Sequence, residues 1–77
     1  MNHLRAELMR KVPSNEGPQA DVLIIEPDGT EHQVRCLCRG GETVLGELGD
    51  GQRIPLLEEK YGAQVLVALT RHVTLNE

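Results

Sequence analysis

"DVLIIEPDGTEHQVRCLCR", residues Asp21 to Arg39, decides the fold of this chain. Pro27 presets the backbone angle at the first central position of a type I turn, Asp28 suits the second, and Gly29 supplies the left-handed position that closes a three-residue hairpin loop. That turn predicts a register in which Glu26 pairs with Thr30, Ile24 with His32 and Val22 with Val34. One face then carries Val22, Ile24, His32, Val34, Cys36 and Cys38. The other carries Leu23, Ile25, Glu31, Gln33, Arg35, Leu37 and Arg39. The first strand is apolar on both faces and the second on one, so the hairpin is expected to be covered twice near Leu23 and Ile25, by another element or by a partner protein.

The hairpin also contains both cysteines of the chain, in "RCLCRGGE". On a strand, Cys36 and Cys38 share a face at a spacing of about 6.6 Å. This is near the upper limit for an unstrained disulfide between alpha carbons. A structural zinc site takes four ligands, and His32 stands about 13 Å from Cys36 along an extended strand. The first reading of the pair is therefore as small core side chains. Metal or iron-sulfur ligation shared with a partner, and redox chemistry, stay open as alternatives. Gly40 and Gly41 mark the end of the strand and the start of a contact loop.

Upstream, Leu4, Leu8 and Val12, with Met1, recur at helical spacing, so residues 1–12 are expected to form an N-terminal helix capped by Asn2 and stopped by Pro13. The stretch 13–20 reads as a linker, and 21–77 as one small β-rich domain. A helix this short must dock, either on its own sheet or on another chain.

Downstream, "ETVLGELGDGQRIPLL" predicts a loose hairpin about a Gly-Asp-Gly turn, with a helical turn at its start as the alternative. Pro55 opens a short helix through Tyr61, Glu58 and Glu59 complement its positive end, and Gly62 stops it. "AQVLVALTRHVTL", rich in Val and Leu, reads as the longest strand, central in the sheet.

Composition sets limits on function. The 77 residues include one tyrosine and neither tryptophan nor phenylalanine, and the formal charge is -4. Stacking platforms and a basic footprint for nucleic acid are thus missing. No run of about 18 apolar residues is present to span a membrane, and the N-terminus lacks the apolar core of a signal peptide. These features predict assembly in the cytoplasm. The lone serine, Ser14, lies in the linker, neither cysteine has an activating histidine nearby, and no phosphate loop follows the glycines. No catalytic residue and no cofactor is therefore expected, so the chain is not read as an enzyme.

The "DVLIIEPDGTEHQVRC" hairpin, the glycine-rich excursion after it and the late "VALTRHVTL" segment resemble small tailed-phage head-tail joining and tail-completion proteins. The likeness runs from about Asp21 to Leu75, although the CxC pair is foreign to that pattern. It implies a virion structural protein, a ring or tail component with no catalytic residues, whose sheet edges and loops engage neighbours.

The expected architecture is α+β and mainly β: a small antiparallel sheet rolled like a barrel or a β-grasp, with an N-terminal helix and a short helix before the last strand. The expected function is that of an adaptor binding larger protein partners, through Leu23, Ile25, Leu37, Gly40, Gly41, Leu4 and Leu8. Two alternatives remain: a small acidic inhibitor that mimics nucleic acid, and a metal module using Cys36 and Cys38 with outside ligands.

Overall fold

The computed structural model describes residues 3–76. Four strands come first, β1 (Arg5–Lys11), β2 (Gln19–Ile25), β3 (Glu31–Arg39) and β4 (Glu42–Glu47), followed by two helices, α1 (Arg53–Tyr61) and α2 (Ala63–Asn76). The strands form one antiparallel meander in the order β1-β2-β3-β4. Both helices pack on one face of it, giving a two-layer α+β domain. The sheet does not close: β1 and β4 are its two edges, so the expected barrel-like roll is corrected to an open sheet.

The central hairpin has the register set by its turn, with Val22 opposite Val34 and Ile24 opposite His32. Glu26 and Thr30 close the loop through Glu26 N–H to Thr30 O at 2.9 Å, and Gly29 N–H bonds Glu26 O at 2.8 Å. The Asp28 carboxylate accepts from Thr30 N–H at 2.9 Å, which fixes the turn from within. Val22, Ile24, Val34, Cys36 and Cys38 all point inward and join Ala20, Ile54, Leu57, Leu66 and Val73 in a single core.

β3 turns directly into β4 through Gly40 and Gly41. Gly40 has φ 61 whereas Gly41 stays outside the left-handed region, the sign pattern of a type II′ turn with glycine at its first central position. The glycine pair is thus a tight hairpin turn rather than a longer contact loop.

Two elements differ from expectation in type. Residues 5–11 form an edge strand, not a helix. Leu4, Ala6 and Leu8 alternate toward the core, where they pack partly buried; spacing by four satisfies a strand as well as a helix, and Ala6 between the leucines decides for the strand. The proposed cap Asn2 and Met1 lie outside the described residues. Because β1 is hydrogen-bonded to β2 along its length, the first segment belongs to the same sheet.

The second difference is "AQVLVALTRHVTL", which is a helix and not the longest strand. Its buried residues, Leu66, Thr70, Val73 and Thr74, recur at helical spacing. The threonines are accommodated because Thr70 Oγ1 donates to Leu66 O and Thr74 Oγ1 to Thr70 O, each at 2.7 Å, so no buried hydroxyl is left unpaired.

α1 ends at Tyr61 as expected, where Gly62 at φ 94 stops it while its N–H bonds Glu58 O at 2.8 Å, but it begins at Arg53, so Pro55 is its third residue and the expected loose hairpin is corrected to β4 followed by this helix. Its N-terminus is held differently. Glu58 and Glu59 lie beyond the first turn; Glu47, from the end of β4, accepts from Arg53 N–H at 3.2 Å and Ile54 N–H at 2.9 Å. A carboxylate there satisfies orphan amides and meets the positive end of the helix dipole. Glu47 thereby fixes the position of α1 beyond the five-residue connection.

Candidate functional site

Because both helices lie on one side, no described element covers the opposite face of the sheet. The ladder places Glu7, Leu23 and Gln33 in one row, Arg10, Asp21, Arg35 and Gly46 in the next, and Gln19, Leu37 and Val44 in a third. Leu23 and Leu37 are half-buried, and Val44 is 42% exposed. A folded sheet with an apolar stripe on its solvent side is an ordinary docking surface.

At the centre of this face lies Asp21, only 4% exposed although no element covers it. Arg35 Nε donates to its Oδ1 and Arg10 Nε to its Oδ2, both at 2.8 Å. The Arg35 hydrogen bond, then that of Arg10, holds the carboxyl below its usual range against the opposing effect of burial. The two guanidinium groups over one carboxylate leave this row with a net positive charge.

Arg10 reaches Asp21 because of an irregularity in β1. Leu8 pairs with Val22 but Arg10 pairs with Asp21, so Met9 is a bulged extra residue. In strict alternation Arg10 would share the inward face of Leu4, Ala6 and Leu8. The bulge rotates it to the open face, one of the tasks bulges perform in natural sheets.

The predicted interface residues divide between two surfaces. Leu23, Ile25 and Leu37 lie on the open face, with Ile25 only 6% exposed beside Arg5 and Glu31. Leu4 and Leu8 pack inward against the core beneath the helices, so they are not part of that face. Gly40 and Gly41 are exposed at one end of the sheet. What the sequence reading missed is Arg10, whose place depends on a bulge, and Val44, whose strand was left undecided.

Cys36 and Cys38 are free thiols, 0% and 3% exposed, within the core. Burial, and next the adjacent Cys36, push the Cys38 thiol up, away from the thiolate that binds metal or attacks a disulfide. Among the described residues no group of three or more His, Cys, Asp or Glu is placed to hold a metal ion.

A second polar cluster lies at the opposite end of the hairpin from the cysteines. Glu26 is 7% exposed and accepts from His32 Nε2 at 2.6 Å, Lys60 Nζ at 2.7 Å and Tyr61 O–H at 2.8 Å. The His32 hydrogen bond, followed by those of Lys60 and Tyr61, lowers its carboxyl to about 2. Lys60 is raised by the same contact, and Tyr61 is raised chiefly by burial. Each shift moves its group away from the neutral range where general acids and bases work. Chemically the cluster is a clamp between the hairpin and α1.

The clamp stands between two shallow clefts. One, of about 460 Å³, lies between His3, Arg5 and the hairpin turn. The other, of about 220 Å³, is lined by His32, Arg53, Leu56 and Leu57, with Leu56 68% exposed at its rim. No helix among the described residues is long and apolar enough to cross a membrane. No family model, curated protein or solved structure matches this chain.

Proposed function

We propose that the protein is a non-enzymatic assembly module that holds a larger protein partner on its uncovered sheet face. The observation that carries this reading is the Arg10–Asp21–Arg35 cluster set among Leu23, Leu37 and Val44 on a face that no helix covers. Arginines preorganised by a buried acid, beside half-buried aliphatic side chains, are the chemistry of interface anchors. A carboxylate-bearing partner surface complements the net positive charge of this row. A virion head-tail junction, the setting implied by the resemblance of the hairpin, is one assembly that would use such a module.

The acidic-inhibitor alternative has less support. Asp21, Glu16 and Glu7 pair with Arg35, Arg39 and Arg5 respectively, which breaks up any acidic surface on that side. A metal module would have to open the core to reach Cys36 and Cys38.

The test compares capture of partners from the native source by the wild type and by Leu37→Glu, with the fold of each checked by circular dichroism. The expected result is a stoichiometric partner with the wild type that is lost with the folded variant. Equal capture by both proteins, or loss only with Val65→Glu on α2, would refute docking at the open face.

A further inference from the structure

Every open sheet has two edges, each presenting unpaired backbone donors and acceptors, and natural proteins block the ones they do not use. β1 is blocked: the bulge at Met9 interrupts its ladder, and Arg5, Glu7, Arg10 and Lys11 line it. β4, "ETVLGE", is charged only at its ends, contains no proline, and pairs with β3 without a register shift. Among the described residues, none of the backbone hydrogen bonds outside the helices and ladders involves Glu42–Glu47.

The side chains point the same way. On the open face the row Gln19, Leu37, Val44 runs outward across β2, β3 and β4 and stops at the edge, on an exposed valine. An apolar row that ends at an unblocked edge is continued by an identical strand lying antiparallel beside it.

We propose that β4 pairs with β4 of a second copy about a two-fold axis perpendicular to the sheet, with Val44 opposite its own counterpart. Side-chain alternation requires even-numbered residues to face even-numbered ones if the two open faces are to be continuous. With Val44 on the axis, Thr43 meets Leu45 of the copy and Glu42 meets Gly46. The row becomes Gln19, Leu37, Val44 and the same three residues in reverse, in one eight-stranded sheet.

Charge does not oppose this register, because Glu42 falls opposite the copy's Gly46, which carries no side chain. Glu47 falls opposite Gly41, so no like charges face each other. The alternative centred on Leu45 puts Val44 opposite Gly46 and breaks the apolar row. Contact along six residues is small, so the association is reversible and at the weak end of specific interfaces. It does not depend on the partner proposed above, whose face it would double.

Sedimentation equilibrium of the full chain, from micromolar to near-millimolar concentration, should follow a monomer–dimer equilibrium. Val44→Lys, at an exposed position that leaves the fold intact by circular dichroism, should weaken it at least tenfold. Mild oxidation tests the register, because residues facing each other across antiparallel strands lie about 4.5–5.5 Å apart between alpha carbons, within reach of a disulfide. Val44→Cys should cross-link rapidly, while the native cysteines, 0% and 3% exposed, do not compete. Leu37→Cys should stay uncrosslinked, its copies being three strand spacings, about 14 Å, apart; Gly46→Cys should also stay uncrosslinked. A monomer at every concentration, or a dimer indifferent to Val44→Lys, overturns the proposal. So does cross-linking of Leu37→Cys, which would mean face-to-face stacking, or of Gly46→Cys, which would mean another register.

Discussion

Lys60 Nζ donates a 2.7 Å hydrogen bond to Glu26, 34 residues earlier in the chain, and so ties α1 to the end of the central hairpin. His32 and Tyr61 donate to the same carboxylate, so three donors from two elements, β3 and α1, converge on one buried acid. Removing a buried acceptor of this kind strands its donors, whereas removing one exposed donor does not.

The first prediction concerns pH. The Glu26 carboxyl stands at about 2 in the fold, against 4.5 for the free group, with the His32 hydrogen bond as the largest cause. A carboxyl depressed by folding stabilises the native state above its unfolded value, and that contribution is lost as pH falls through the folded value. Stability should therefore decline between about pH 4.5 and pH 2. In Glu26→Gln that portion of the decline should be absent, and stability at neutral pH should be lower by about 1.5–3 kcal/mol. Urea denaturation across the pH range measures both. An unchanged acid limb in Glu26→Gln would show that other carboxylates cause the decline.

A second prediction concerns the stretch 13–20, which the composition marks as a linker: Gln19 and Ala20 are in fact the start of β2, and the mostly exposed residues before them are tied to the sheet at Pro18. Cys38 N–H donates to Pro18 O at 2.8 Å, extending the pairing of β2 with β3 beyond the regular ladder. Gly17, at φ 147, lies so close that an added Cβ would stand 2.1 Å from the Cys38 carbonyl oxygen. That atom is backbone and cannot rotate away. Gly17→Ala should cost at least about 2 kcal/mol through backbone displacement and an unfavourable φ, read from the midpoint of denaturant unfolding. Gly49→Ala, also at positive φ but with nothing within 4 Å of its Cβ, isolates the conformational part alone.

The contrast between these glycines shows which parts of the fold the sequence could reveal. The hairpin from Val22 to Val34 was legible because Pro27, Asp28 and Gly29 impose a local register, and register determines which face each later side chain takes. The inward orientation of Cys36 and Cys38 follows from it. The type of β1 and α2 was not legible, because in both the short-range pattern is degenerate. Leu4 and Leu8 fit either period, and α2 carries the β-branched residues Val65, Val67, Thr70, Val73 and Thr74, whose local preference for strands is overridden once Leu66, Thr70 and Val73 find the sheet. That the hairpin is apolar on a second face was legible in Leu23 and Ile25, but the expected cover from an N-terminal helix is absent, because that segment is strand β1 of the same sheet. The charged centre of the open face depends on Met9 bulging out of β1, which no local signal marks.

The third prediction addresses the cysteines. As core side chains, Cys36 and Cys38 should react with a thiol reagent only at the rate of unfolding, since they are 0% and 3% exposed. Replacing both by Ala should cost a few kcal/mol by leaving small cavities, on the order of 1–3 kcal/mol for groups of this size. Replacing both by Val should cost less. Capture of the partner should survive either change. If the folded double-Val protein loses its partner or a bound metal, the pair is a site and not core filling.

The bulge itself gives the last prediction. Leu8 pairs with Val22 and Arg10 with Asp21, so deleting Met9 joins two positions that already face consecutive residues of β2. The deletion should preserve the inward set Leu4, Ala6 and Leu8 and the Arg10–Asp21 hydrogen bond, and leave stability within about 1 kcal/mol, as expected for a surface change that breaks no buried contact. What it removes is the break in the β1 ladder, one of the two devices that keep this edge from pairing. The shortened protein should therefore fold normally yet form larger species at concentrations where the wild type stops at a dimer, because a chain with two usable edges adds copies at both. Light scattering alongside sedimentation measures this directly. If the deletion variant is no more associated than the wild type, the four charges of β1 protect the edge unaided and the bulge serves only to turn Arg10 toward Asp21.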